Sequence, residues 1–359
     1  MKQEGAPLCR LFGRGAGALF DRRRGGGIQE EDPMTICSRA FGALLAFAAT
    51  TTAIHADTYR LATNVTEDST AGQLLASFAS AVAERTEGRV AFQMFHNGVL
   101  GEQAQYLQQI QSGVLDAGLV NSGTLETVVP AVGVMNLPYM FRTSEEYAQV
   151  MTDDTVLSAL SEASAAKNVS VLGFISSGFR SIYTTKPVTD FAGLQGLKLR
   201  SIASPTYTEM VTLFGAVPTP LPFGELYSGL QAGVVDGAEG GLAGLWVAKF
   251  GEVAKHALVS NHTRLTDFVV TSPDFNTRVG EADMAILREE FEKLSLESIA
   301  FADKNEADQL ALAVSELGVL VTETDLAPFM SAVTPMYDAA RADPAKAPLI
   351  DAIFTLTGR

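Results

Sequence analysis

A chain of 359 residues is long enough for two ordinary domains, each with its own apolar core, and this excludes a staple-dependent miniprotein. With 26 Lys and Arg against 41 Asp and Glu, a net charge of -15, the surface repels a phosphate backbone and argues against nucleic-acid binding. Hydrophobic residues at 47% and charged residues at 19% exclude a disordered chain.

In chain order the first segment is a leader. Residues 1–33 are rich in Gly and Arg and precede a second methionine, Met34, so they read as an over-extended start; a twin-arginine signal around Arg22, Arg23 and Arg24 is the alternative. From Met34, the basic Arg39, an apolar stretch from Ala40 to Ala49 and small residues up to Ala56 have the layout of a secretory signal, 34–56, cut before Asp57. The apolar stretch is about half the roughly 20 residues that a spanning helix needs. An exported chain with no stable membrane anchor is expected. Both cysteines, Cys9 and Cys37, precede Asp57, which leaves no thiol chemistry in the remainder.

From Asp57 onward, short β-rich runs alternate with amphipathic segments. Tyr59 to Thr63 reads as a strand, and Ser69 to Arg85 places Leu74, Leu75, Phe78 and Val82 on one helical face. A strand at Val90 to Phe95 and a helix from Glu102 to Gln111 follow, the helix turning Tyr106, Leu107 and Ile110 inward. Val169 to Ile175 and Leu197 to Arg200 read as further strands, and Ser204 with Pro205 opens a helix. This alternation predicts α/β layers. An internal repeat adds to it: IQSGVLDAG at Ile110 recurs as LQAGVVDGA at Leu230, each preceded by a helix with a tyrosine, Tyr106 and Tyr227. Helix, glycine and strand is a common succession; if the copies mark two similar lobes, the loops Asn121-Ser122-Gly123 and Glu239-Gly240-Gly241 face a shared cleft. Glu281 to Leu317 reads as one helix of roughly 55 Å at 1.5 Å per residue, stopped by Gly318 and followed by a strand at Val319 to Val321.

Enzyme signatures are missing from this remainder. His96, His256 and His262 have no metal-ligand spacing, and there is no nucleophile elbow, dinucleotide fingerprint or phosphate loop. The carboxylate pairs Glu145-Glu146 and Glu289-Glu290 fall on polar helix faces. Arg180 and Arg200 end strand-like segments, where α/β proteins place ligands. Two guanidinium groups converging there would hold a carboxylate in a planar fork that lysine lacks. In the competing reading each arginine pairs with a nearby Asp or Glu.

The runs GLKLR, SPTYTEM, GAVPTPLPFGELYSGLQAGVVDGAE and KFGEVAKH, with NGVLGEQAQYLQQIQSGVLDAG, LPYMFR and SGFRSIYTTKPV before them, extend over nearly all of the chain after Asp57. In order and spacing they resemble the solute-binding subunit of tripartite ATP-independent periplasmic (TRAP) transporters, the DctP family. That resemblance implies a periplasmic-binding-protein-like α/β fold: two lobes with a ligand cleft between them and a long C-terminal helix spanning both. Lobe I would comprise 57–177 and 266–306, and lobe II 178–265 and 307–359. It also implies that Arg200 clamps a ligand carboxylate, that Arg180 assists, and that Asn64, Asn121, Glu67 and Gln103 complete the pocket from the first lobe. Phe223 matches an apolar wall residue, and Glu239 the glutamate of the family's D-G-x-E-N loop. Gly240 departs from that pattern, where many members have asparagine, so a roomier or differently hydrated pocket is expected; Trp246 is expected in the core. The implied function is periplasmic capture of a small organic acid, a uronate or aldonate before a C4-dicarboxylate, for delivery to small and large membrane subunits. No catalytic residue, cofactor or metal is implied. A sensor that presents the acid to a receptor and a periplasmic enzyme are the rival readings.

Overall fold

Buried Tyr59 and Leu61 alternate along β1 (Asp57–Ala62), whereas Leu75, Phe78 and Val82 recur at helical spacing along α1 (Thr70–Arg85). These two periods open a βαβαβ unit completed by β2 (Val90–Phe95), α2 (Gln103–Gln111) and β3 (Ala117–Asn121). The computed structural model describes residues 57–359; the expected extended start and secretory signal, residues 1–56, lie outside the described residues. β1 sits between β2 and β3 and runs parallel to both. α3 (Ser122–Glu126), a 3-10 segment at Pro130–Asn136, α4 (Ser144–Met151) and α5 (Asp154–Ala165) then lead to the long β4 (Ser170–Thr184).

The same plan follows a second time. β5 (Lys198–Ser201), α6 (Pro205–Leu213), β6 (Val217–Pro220), α7 (Leu226–Gln231) and β7 (Gly237–Gly241) place β5 between β6 and β7, again parallel to both. The sequence repeat is therefore the visible end of a duplicated unit. In each copy the chain leaves its helix through a glycine, Gly113 at φ 74° and Gly233 at φ 69°, a left-handed turn that residues with a Cβ adopt at a cost. The remainder comprises α8 (Gly244–Val247), β8 (His256–Thr271), α9 (Phe275–Val279), α10 (Glu281–Leu317), β9 (Leu320–Glu323), α11 (Ala327–Ala332), α12 (Thr334–Ala342) and α13 (Ala347–Thr357).

β4 and β8 run antiparallel through both halves and join the two units into one sheet, in the order β2-β1-β3-β8-β4-β7-β5-β6 with β9 beside β8. Their ladder breaks between Ser176 and Phe179, where Gly178 takes φ 78°. We propose this break as the boundary between the lobes, with 57–177 and 266–306 on one side and 178–265 and 307–359 on the other. α10 spans both sides: Leu287, Phe291 and Leu294 join the core of Leu75 and Phe78, while Ala313 joins that of Leu230, Phe250 and Val319. Phe291 rests directly on Gly173 of β4, where a Cβ would stand 2.1 Å from the ring.

Leu349, Ile350 and Ile353 of α13 bury themselves with Tyr147, Val150, Val156 and Leu160 of α4 and α5, in a core that also takes in Leu199, Tyr207 and Phe214. The apolar stripe of α13 meets its partner there, and Arg359 fastens the end to Glu146 at 2.9 Å.

Candidate functional site

Parallel strands deliver their carboxyl ends to one edge of each unit, which is where open α/β sheets bind ligands. Asn64 follows β1, Asn121 ends β3, Arg200 lies near the end of β5, and Gly241 ends β7. These four residues line a cavity of about 220 Å³ that is completed by Arg180 of β4, Phe223, and Asn305 and Glu306 of α10.

The two arginines differ in what they touch. Arg180 is 5% exposed and already paired: its Nε donates to Glu239 Oε2 at 2.7 Å and its Nη2 to the Glu239 carbonyl at 3.0 Å. Arg200 is 6% exposed, donates from Nε to the Leu221 carbonyl at 3.0 Å, and forms no ion pair among the described residues. Burial lowers its affinity for its proton, and the charge of Arg180 adds to that effect, with Glu239 as a partial offset. The reading in which an arginine merely serves a neighbouring carboxylate thus holds for Arg180 and fails for Arg200. Arg200 keeps both terminal nitrogens without a protein partner among the described residues, at the wall of a cavity.

Glu239, expected at the pocket, is 1% exposed and stands behind it as the counter-charge of Arg180. Its other oxygen accepts from the Ile202 amide at 3.2 Å, and the neighbouring His262 Nε2 lies 3.6 Å from Oε2. Burial alone would raise this carboxyl; the charge and hydrogen bond of Arg180, with His262 beside it, take it down to about 2. Burial lowers His262, whose Nδ1 lies 2.9 Å from Ser260 Oγ.

First-lobe groups are held by one another. Gln103 donates to Asn64 Oδ1 at 3.1 Å and accepts from the Asn121 amide at 2.9 Å, while Asn64 Nδ2 donates to Glu102 at 3.2 Å. Asn121 Oδ1 caps α3 by accepting from the Thr124 amide at 2.8 Å, which leaves its Nδ2 without a protein partner among the described residues. Phe223 packs edge-on against Phe250 with ring centres 5.5 Å apart.

Of the nine expected site residues, Arg200, Arg180, Asn64, Asn121, Gln103 and Phe223 line the same cavity, and Glu67, Glu239 and Gly240 do not. Glu67 is exposed: its loop packs backbone-first on α1, its carbonyl 2.5 Å from where a Cβ on Gly72 would be. A Cβ on Gly240 would point at Tyr183, 3.0 Å from the hydroxyl. The absent side chain at 240 therefore does not enlarge the cavity, because tyrosine fills that direction. Trp246 is half-buried against the second core with Lys249 Nζ 3.8 Å above its ring, away from the cavity lining.

Ser177, Asp267, Asn305 and Glu306 also line the cavity and escaped the sequence reading. Ser177 adjoins the GFR run and Asp267 marks the point where the strand-helix pattern gives way, a signal that could have found both. Asn305 and Glu306 are concealed in the polar tract of α10. Glu306 straps that helix to the broken ladder, its two oxygens accepting from the Phe179 amide at 3.1 Å and the Leu242 amide at 3.3 Å. Asn305 ties the same turn to Thr70 of α1 at 2.7 Å.

Burial raises the Glu306 carboxyl from its ordinary 4.5 to about 7. Because the folded value lies above the unfolded one, its contribution to stability is whole below pH 4.5 and is lost as pH rises through 7. Glu306→Gln, which cannot ionise, is expected to flatten the dependence of the unfolding midpoint on pH across that window. Some slope stays, because Asp267 shifts in the same sense, from 3.8 to about 6. Scanning calorimetry from pH 4.5 to 8 reads this, and an unchanged slope would contradict it.

The family model described as bacterial extracellular solute-binding protein, family 7, matches residues 61–343. The chain is similar to a solute-binding protein of Chromohalobacter salexigens, 33% identical over 311 residues that cover 85% of this chain and 91% of the relative. Among solved structures it is similar to a TRAP periplasmic solute-binding protein of Chromohalobacter salexigens with bound D-glucuronate, at 30% identity and a TM-score of 0.78, covering 83% of this chain and 99% of that one. It is likewise similar to one from Xanthobacter autotrophicus with bound β-D-galacturonate, at 29% identity and a TM-score of 0.78 over 82% and 98% of the two chains.

Proposed function

The chain belongs to the bacterial extracellular solute-binding proteins, family 7, the solute-binding subunits of TRAP transporters, and on that premise we propose that its cleft captures a sugar acid in the periplasm. A uronate or aldonate is preferred to a C4-dicarboxylate, and the small and large membrane subunits of the transporter receive it. The observation that carries this reading is Arg200, a buried cation at the cavity wall with no carboxylate of its own among the described residues. A ligand carboxylate completes it through the two terminal nitrogens, in the bidentate geometry that makes arginine the residue for carboxylates. Glu239 holds the second guanidinium, Arg180, at the same wall.

Amides of Asn64, Gln103 and Asn121 give the same cavity donors and acceptors for ligand hydroxyls, and the solved relatives hold hexuronates, which carry one carboxylate and several hydroxyls. No covalent step is involved, since solute-binding subunits are not enzymes. Binding works by mass action: the acid meets groups of both lobes only when the cleft is shut, so it draws the open-closed equilibrium toward the closed form by its differential affinity. Bending at the break around Gly178 provides the motion.

Thermal unfolding of residues 57–359 against D-glucuronate, D-galacturonate, D-gluconate, succinate and D-glucose tests the reading. An acid at a thousand times its dissociation constant adds about 4 kcal/mol of stability. Raised midpoints with sugar acids and none with glucose are expected. A shift with glucose alone, or with no acid, would overturn the proposal.

A further inference from the structure

We propose that Asp267, backed by Glu306, forms a second, anionic pole of the cleft that selects acids whose far end carries a hydrogen-bond donor and turns away acids that end in a second carboxylate. This rests on the carboxylate-capture reading above and sharpens it.

Asp267 is 7% exposed and lines the cavity. On β8 it faces Asn121 of β3 on one side and Ile175 of β4 on the other, and shares the cavity face of that strand with Leu265 two residues earlier. Ser177 Oγ donates to its Oδ2, whereas its Oδ1 has no protein donor among the described residues. Glu306 adds a second carboxylate to the same cavity, with each oxygen taking one backbone amide and keeping capacity for another donor. Neither carboxylate forms an ion pair among the described residues, because Arg180, the other cation of the wall, is held by Glu239. Burial has raised both carboxyls, to about 6 and about 7, as expected of groups without a cationic partner.

The poles lie on different lobes. Asp267 faces Ile175 of β4, whereas Arg200 reaches β4 through Ala238 of β7 beside Tyr183, so the two groups approach the one cavity from either side of the Ser176–Phe179 break. An acid held in this cavity with its carboxylate on Arg200 presents its other end toward Asp267. A hydroxyl there supplies the donor that Oδ1 lacks. A carboxylate there supplies none, and places like charges together where water is excluded.

The test uses purified wild-type protein, Asp267→Asn and Glu306→Gln, titrated calorimetrically at pH 8 with D-gluconate, D-glucuronate and D-glucarate. D-glucarate differs from D-gluconate only in having a carboxylate in place of the terminal hydroxymethyl group. Wild type is expected to bind the tighter of the two monoacids at least tenfold better than D-glucarate. Asp267→Asn is expected to narrow that ratio severalfold by gaining affinity for D-glucarate, and Glu306→Gln to move it the same way by less, which also covers the case where the first variant folds poorly. A wild type that binds monoacid and diacid alike, or a ratio that neither variant moves, overturns the anionic pole and leaves carboxylate capture standing. No binding of any of the three acids overturns both.

Discussion

Arg200→Lys is expected to weaken binding of the captured acid by about ten- to a hundredfold while leaving the fold intact. The charge survives the change, so the loss isolates geometry. Arg200 spends Nε on the Leu221 carbonyl and thereby points a planar pair of nitrogens at the cavity. Lysine has one ammonium on a flexible stem; it can serve the carbonyl or the ligand, but it cannot do both in one plane. One charge-assisted hydrogen bond is worth about 1.5–3 kcal/mol, and each 1.4 kcal/mol is tenfold in affinity. Arg200→Ala is expected to cost more, because the ligand carboxylate then enters a closed cleft with no partner. Calorimetric titration with D-glucuronate measures both variants; undiminished affinity in the lysine variant would remove Arg200 from the clamp.

Glu239→Ala should be the most damaging single substitution to stability among the residues of this site. It strips Arg180 of the oxygen 2.7 Å from its Nε and leaves a buried guanidinium uncompensated, a situation that costs about 3–5 kcal/mol. For a domain of this size that is on the order of 10 °C in the unfolding midpoint. Glu239→Gln keeps the shape and loses the charge, so it should fall between wild type and alanine. The pair also has a direction in pH. The folded carboxyl, at about 2, lies below its ordinary 4.5, so its contribution is complete above pH 4.5 and is lost only as pH falls through 2. Acid should therefore loosen this pair far later than it affects an ordinary surface carboxylate. A midpoint for Glu239→Ala within 2 °C of wild type would show that the pair is not what holds Arg180.

Readability of the fold from sequence followed the regularity of each element's surroundings. α1 and α2 have one apolar face each, and α10 runs unbroken between Gly280 and Gly318, both at positive φ, so their limits were plain. The crossing strands were not plain. β4 was read only as far as Ile175 because Ser176, Ser177 and Gly178 follow, and β8 was missed as a strand since His262, Arg264, Thr266 and Asp267 interrupt its apolar pattern. Those polar residues are where they are for reasons that lie elsewhere in the chain: Arg264 is fully buried and bonds Ser176 and Ser144, and Asp267 faces the cavity. The site divides in the same way. Arg180 and Arg200 stood out against an acidic composition at strand ends, but nothing local says which of them has a carboxylate to itself. The partner of Arg180 is distant in sequence and is reached only through the β4–β7 ladder, where Ile182 faces Glu239.

The order in which strands become neighbours governs when this protein can start to fold. β3, residues 117–121, finds its antiparallel partner only in residues 267–271, and β4 likewise waits for β8. A ribosome has made most of the chain before the first half-sheet can be closed on that side, and until then β3 presents an open edge of the kind that invites pairing between chains. The half-sheet β2-β1-β3 therefore gains its last neighbour from a segment made about 150 residues later, so the end of the sheet that forms from the earliest residues is also among the last to be closed.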